Sequence, residues 1–206
     1  MHHLQTRKPS LLSRMVQRLL FQLYRWKGWR IEGRRPDTDR FIILGAPHTS
    51  NWDFVFFLGA TRELGIRPSF VGKKSLFRWP ATRFMYDMGG IPVDRARRAN
   101  YVEQVAEAFA SADDLALVIA PEGTRTSKGD WKTGFYHIAM AAGVPIVPAW
   151  VNNETMVGGM GDPIMPTGDY AADLARIAAF YREKRPDCDR FVVLSESALA
   201  LSEVKR

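Results

Sequence analysis

From Ser10 to Arg30, apolar residues recur at helical spacing. Leu12, Val16, Leu19, Leu20, Leu23 and Trp26 form the stripe, and Arg14, Arg18 and Arg25 lie largely off it. This pattern predicts an amphipathic helix, with Ser10 a candidate N-cap and Gly28 a candidate stop. After a polar loop over residues 33–39, short apolar runs alternate with helical patterns. Strands are predicted over Phe41–Gly45, Pro68–Gly72, Ile91–Val93, Leu115–Ala120, Pro145–Val151 and Arg190–Leu194. Helices are predicted over Asn51–Leu64, Ser75–Met88, Arg97–Ser111, Trp131–Ala142 and Tyr170–Lys184. Strands apolar on both faces that alternate with helices imply an α/β fold, a mostly parallel central sheet flanked by helices. The predicted organisation is an N-terminal basic amphipathic helix and linker over residues 1–36 and one α/β domain over residues 37–206. Val157–Gly161 is glycine-rich, but Asp162-Pro163 stands where a phosphate-binding helix would begin, so a plain loop is expected there.

Charge sharpens this picture because it is unevenly placed. The 206 residues carry a net charge of +7. Residues 1–40 hold ten Lys and Arg against three acidic residues, leaving nineteen of each sign in the remainder. A basic amphipathic helix with Trp26 and Trp29 near one end suits an anionic membrane interface, whereas simple packing on the domain is the plainer alternative. No stretch reaches the roughly 18 continuous apolar residues that span a bilayer. Arginines interrupt the N-terminal apolar residues and no small-residue cleavage site follows, so a secretory signal is not expected. Cys188 is the single cysteine, which excludes an internal disulfide framework. Four scattered histidines and no His-Glu-x-x-His run give no metal-ligand pattern, and no cofactor fingerprint is present.

In parallel sheets, ligands sit beyond the carboxyl ends of the strands. Three loops are therefore of interest. His48 lies where a strand meets a helix and Asp53 lies in that helix's first turn. A carboxylate on one imidazole nitrogen fixes the tautomer and leaves the other as a base. Without a partner substrate, the same two residues read as a loop histidine and a helix N-terminal aspartate. No Gly-x-Ser-x-Gly elbow is present and Cys188 sits among acidic neighbours, so a base at His48 would activate a substrate hydroxyl. Glu122-Gly123-Thr124-Arg125 forms a tight polar turn in which Arg125 offers a fork suited to phosphate. Gly89 to Arg95 ends in a basic cluster.

Taken in order, these loops resemble the glycerophospholipid acyltransferases, the family containing the 1-acyl-sn-glycerol-3-phosphate acyltransferases. The His-x4-Asp block is matched by His48 to Asp53, and the Gly-x-x-x-x-Arg block by Gly90 to Arg95. Pro121 to Thr126 matches Pro-Glu-Gly-Thr-Arg-Ser with a final threonine, and Ile146-Val147-Pro148-Ala149 matches a Val-Pro strand. The resemblance implies transfer of an acyl group from acyl-CoA or acyl-carrier protein to a lysophospholipid hydroxyl, with phosphatidic acid as the product. It implies His48 as base, Asp53 as its partner, and Gly90, Arg95, Glu122, Gly123, Thr124 and Arg125 as acceptor-binding residues. Backbone amides or the helix start would then stabilise the oxyanion. No cofactor or metal is implied, and the expected location is the cytoplasmic face of a membrane, peripheral or monotopic. Pro47 replaces a common Asn and Pro92 a common aromatic residue. These departures keep another lysolipid or a lyso-amino-acid lipid open as acceptor.

A different class of function is a basic module for nucleic acid or anionic lipid, in which Phe77, Trp79, Phe84 and Tyr86 interleave with basic residues. The four ordered blocks and the balanced charge after residue 40 speak against nucleic acid as a partner.

Overall fold

The computed structural model describes residues 9–93, 101–123, 126 and 129–203. Helix α1 (Leu11–Lys27) leads into β1 (Arg30–Glu32), β2 (Arg40–Gly45), α2 (Trp52–Glu63), β3 (Pro68–Lys73) and a 3-10 turn (Lys74–Phe77). Then follow α3 (Thr82–Asp87), β4 (Gly90–Val93), α4 (Tyr101–Ala110), β5 (Leu115–Ile119), α5 (Gly134–Ala142), β6 (Ile146–Asn152) and β7 (Val157–Met160). Helices α6 (Tyr170–Lys184) and α7 (Asp189–Glu203) complete the order. The seven strands form one sheet in the order β1-β7-β6-β2-β5-β3-β4. Among the described strand pairs, β6–β7 is antiparallel and the others are parallel.

Strand β2 lies at the centre, and its side chains explain why helices cover both sides. Phe41, Ile42, Ile43 and Leu44 are all fully buried. Phe41 and Ile43 join Ala116 and Val147 on the face that Phe57 and Leu64 cover. Ile42 and Leu44 join Leu115, Leu117 and Ile146 on the opposite face, against residues of α4, α5, α6 and α7. Removing water from a Leu, Ile or Phe side chain stabilises by about 1.5–3 kcal/mol. Truncating one of these four should therefore cost about 2–5 kcal/mol, cavity included.

Helix α1 begins and ends as its sequence signals predict. The Ser10 hydroxyl accepts from the Ser13 amide at 3.2 Å, and Gly28 takes a left-handed φ of 74°. Its two faces differ in kind. Inward, Ser13 and Tyr24 are buried, and Tyr24 lies so close to α2 that a Cβ on Gly59 would fall 2.1 Å from its ring. Outward, Leu11, Leu12, Met15, Leu19 and Trp26 are each more than half exposed.

Five regions depart from the predicted elements. Arg190–Leu194, read as a strand, opens α7, because Phe191, Leu194 and Ala198 recur at helical spacing and pack inward. Its Phe191 stacks on Tyr181 of α6 at 4.7 Å. The expected loop at Val157–Gly161 contains β7, where glycine is required by crowding. A Cβ on Gly158 would lie 2.4 Å from the Phe56 ring, and one on Gly159 2.5 Å from the Glu32 carbonyl. The helical pattern over Ser75–Met88 divides into the 3-10 turn and α3, since Pro80 lacks an amide donor and disfavours helix at the residue before it. Helix α5 starts at Gly134 rather than Trp131. Strand β1, short and mostly polar, lies in the segment read as linker.

Candidate active site

Strands β2, β5, β3 and β4 run parallel, so the loops after them emerge on one edge of the sheet. Residues 46–51 leave β2 there and turn directly into α2. Asn51 takes the N-cap position without a side-chain capping bond. Instead, Asp53 folds back over the loop, and its Oδ2 accepts from the amides of Thr49 and Ser50, each at 2.7 Å. This carboxylate is almost buried, and its Oδ1 accepts from the Asn153 side-chain amide at 2.6 Å. His48 Nδ1 stands 3.5 Å from Asp53 Oδ2. The histidine ring is thus directed at a carboxylate that three N–H groups hold in place. A donor–acceptor separation of 3.5 Å is long for a hydrogen bond, and such contacts commonly tighten when substrate binds.

The main chain of His48 is held as firmly as the ring's partner. Its amide donates to Glu122 Oε2 at 3.1 Å, and its carbonyl accepts from Arg190 Nη1 at 3.4 Å. Arg190 also donates to the same Glu122 oxygen at 2.7 Å. Burial pushes the Glu122 carboxyl above its ordinary range, opposed by the His48 amide and the Arg190 guanidinium. Below the loop, the buried Tyr181 hydroxyl donates to the Leu44 carbonyl at the end of β2.

The expected site residues are placed as follows. His48, Asp53 and Glu122 are together in one connected network. Glu122, expected to touch the acceptor, is fully buried at its side chain and lies beneath the loop. Gly123 has a φ of 70°, and its missing Cβ leaves room for Lys132, whose Nζ would otherwise be 2.9 Å away. Gly90 stands at the amino end of β4, where a Cβ would meet the Phe77 ring at 2.7 Å and the Met85 carbonyl at 2.8 Å. Its place in the structure is therefore one of close packing. Arg95, Thr124 and Arg125 lie outside the described residues. The backbone amides expected at the oxyanion are largely committed: those of His48, Thr49 and Ser50 serve carboxylates, and that of Gly123 serves the Ala120 carbonyl. Arg190, Asn153 and Lys132 carry no signal in the local pattern, because each reaches the site from a distant element.

The family model of the acyltransferases matches residues 30–152, more than half of the chain and all of the β2, β5 and β6 region that builds this edge. The chain belongs to the acyltransferase family. A Haemophilus influenzae protein named 1-acyl-sn-glycerol-3-phosphate acyltransferase is 32% identical over 205 residues, covering 87% of this chain and 83% of that one. Proteins of the same name from Salmonella typhimurium and Limnanthes alba are 34% and 29% identical over 138 and 155 residues. These alignments cover 62% and 71% of this acyltransferase, and 55% and 52% of the relatives. It is accordingly an enzyme of the O-acyltransferase class to which these relatives belong. The His48–Asp53 contact lies inside the matched region, whereas Asn153 and Arg190 lie beyond it. No helix among the described residues is long and apolar enough to cross a membrane.

Proposed function

We propose that this acyltransferase moves a fatty acyl group from acyl-CoA or acyl-carrier protein to the free hydroxyl of a lysophospholipid. The leading acceptor is 1-acyl-sn-glycerol 3-phosphate, giving phosphatidic acid in phospholipid biosynthesis. The observation that carries the reading is the His48–Asp53 pair, with Nδ1 at 3.5 Å from a braced carboxylate. The names of the relatives support this choice of acceptor.

The geometry suits direct transfer. Asp53 faces Nδ1, so the proton sits there and Nε2 keeps its lone pair. Nε2 removes the acceptor hydroxyl's proton as that oxygen bonds to the thioester carbonyl carbon. The tetrahedral intermediate collapses by breaking the C–S bond. The thiolate leaves with the proton that Nε2 took up, giving ester and free thiol. The reading needs no cofactor or metal. Glu122 acts through the loop that holds His48, while Arg95, Thr124, Arg125 and Gly123 are assigned to the acceptor, with Gly90 setting the start of β4. Lys132, beside Gly123, provides a cation for a phosphate there, and Arg125, two residues on in the sequence, is assigned as a second. Outward Leu11, Leu12, Met15, Leu19 and Trp26, with Arg14, Arg18 and Arg25 on the same helix, support docking of α1 at the cytoplasmic face of an anionic membrane.

The test is release of free thiol from acyl-CoA and from acyl-carrier protein thioester across a panel of acceptors. The panel contains 1-acyl-sn-glycerol 3-phosphate, neutral lysolipids and a lyso-amino-acid lipid. The expected result is turnover dominated by the phosphate monoester, with a raised acceptor KM in Arg125→Ala. Equal turnover without the phosphate would remove that assignment and make a phosphate-free acceptor the substrate.

A further inference from the structure

Between Glu63 and Asp87 the chain carries Arg67, Lys73, Lys74, Arg78 and Arg83 and no acidic residue. The overall balance of charge after residue 40 conceals this cluster. In the structure the cluster is drawn onto the surface together with apolar side chains. Lys73, Lys74, Leu76, Arg78, Trp79, Pro80 and Arg83 are all exposed, Trp79 at 90%. A tryptophan side chain left so bare, next to Leu76 at 50%, forms no part of the core.

Two features of the fold place this segment. It leaves the carboxyl end of β3, and β5 alone separates β3 from β2, so it starts on the edge from which the His48 loop rises, about 10 Å away across the sheet. It then enters α3, which is tied to the start of α1. The Ser10 main-chain amide and Ser13 hydroxyl donate to Asp87 Oδ2 at 2.9 and 2.8 Å, and the Gln17 side-chain Nε2 donates to the Asp87 carbonyl at 3.1 Å. At its other end α1 reaches the catalytic loop, with Lys27 Nζ 4.5 Å above the Trp52 ring. The outward ridge of α1 therefore runs between α3 and the first residue of α2.

We propose that Lys73–Arg83 is a second membrane contact, in which Trp79 and Leu76 enter the headgroup region of an anionic bilayer while Lys73, Lys74 and Arg78 meet its phosphates and Arg83 stays beside Asp87, its Nε 3.8 Å from the carboxylate. The inference rests on the reading of α1 as a membrane-docking surface and extends it from a line to two separated points. The occupant follows from the chemistry. Amphipathic aromatic rings and lysine and arginine side chains are the groups that settle at lipid interfaces. The tie of α3 to α1 through Asp87, which sets this segment beside a second exposed apolar and basic surface, favours a broad lipid surface over the compact acidic surface of a carrier protein. Two contacts also fix the tilt of the domain about the axis of α1, which that helix alone does not, and they hold the His48 edge toward the lipid that carries the acceptor.

The experiment uses the full chain and co-sedimentation with vesicles of phosphatidylglycerol and phosphatidylcholine, and of phosphatidylcholine alone. Leu76→Ser with Trp79→Ser should weaken binding to the anionic vesicles roughly tenfold through lost apolar contact. Each of Lys73→Gln, Lys74→Gln and Arg78→Gln should weaken it by up to roughly fivefold at low salt, and by less at high salt. Brominated lipid should quench wild-type tryptophan fluorescence more than that of Trp79→Phe, a readout that survives if a multiple variant fails to fold. A separate variant, Leu12→Ser with Leu19→Ser and Trp26→Ser, tests α1. If that variant is released while the Lys73–Arg83 variants bind as wild type does, the second contact is refuted and the helix reading stands. If neither set changes binding, both fall. If the Lys73–Arg83 variants keep vesicle binding but lose turnover only with carrier-protein thioester, the segment is a protein dock and the proposal is overturned.

Discussion

The loop over residues 46–53 and the outer face of α1 solve opposite problems. In the loop, main-chain and side-chain polar groups are engaged: the amides of His48, Thr49 and Ser50, both oxygens of Asp53 and the His48 carbonyl all have partners. On the helix face, Leu11, Leu12, Met15, Leu19 and Trp26 project outward, each more than half exposed. A base that must meet a proton within a few tenths of an ångström needs fixed neighbours. A surface that meets a fluid bilayer needs only area and charge. The difference shows in where the supporting residues come from. The loop draws on Glu122, Asn153 and Arg190, which lie 74, 100 and 142 residues from the groups they bond there. The ridge is complete within 16 residues of one helix.

The largest effect should come from the proposed base. His48→Ala should lower kcat by about 10²–10⁴-fold, the usual contribution of a positioned general base, with little change in melting temperature. Thiol release by the folded variant checks this, and near-normal turnover would end the mechanism. Loss of the braces should cost less. Asn153→Ala and Arg190→Gln should each lower kcat by about 10- to 100-fold while donor KM holds, because they displace the pair without touching substrate. Unchanged kcat in both would show that the loop keeps its shape unaided.

The smallest effect concerns the latch between α1 and α3. Burial works to raise the Asp87 carboxyl, but hydrogen bonds from Ser10 and Ser13 and the nearby Arg83 prevail and hold it below its ordinary range. A lowered carboxylate stabilises the fold above its unfolded value, about pH 4, and that contribution is lost as pH falls through the lower folded value. The stability gap between wild type and Asp87→Asn should therefore be constant at neutral pH and narrow under acid. Thermal melts between pH 3 and 7 measure it, and a gap independent of pH would assign the latch to packing.

Much of this architecture was legible because the central strands are buried on both faces. Phe41–Gly45 and Leu115–Ala120 announce themselves as unbroken apolar runs, and Tyr170–Lys184 as a helical pattern whose predicted bounds match α6. The failures share a cause. Phe191-Val192-Val193-Leu194 has strand-forming residues, but contact with Tyr181 across the chain selects the helix. Val157–Met160 looks like a loop by its glycines, yet those glycines admit Phe56 and the backbone of β1. In the candidate site, the proximity of His48 and Asp53 was legible because both belong to one turn of chain. Asn153 and Arg190 were not legible, since their contacts exist only after the sheet and α7 are assembled. Glu122 was legible by position, but its inward direction was not.

Helix α1 is fastened at both ends, to Asp87 near Ser10 and through Trp29 and β1 to the sheet near Lys27. Its 17 residues, roughly 25 Å long, therefore present their ridge only when the domain behind them is folded. If lipid binds that ridge, it binds the native chain in preference to the unfolded one, and mass action then stabilises the native chain. Under that linkage, the enzyme's melting temperature becomes a function of the bilayer area offered to it. Chains that have lost the membrane would be the first to unfold, so the lifetime of the protein and its access to substrate would rise and fall together.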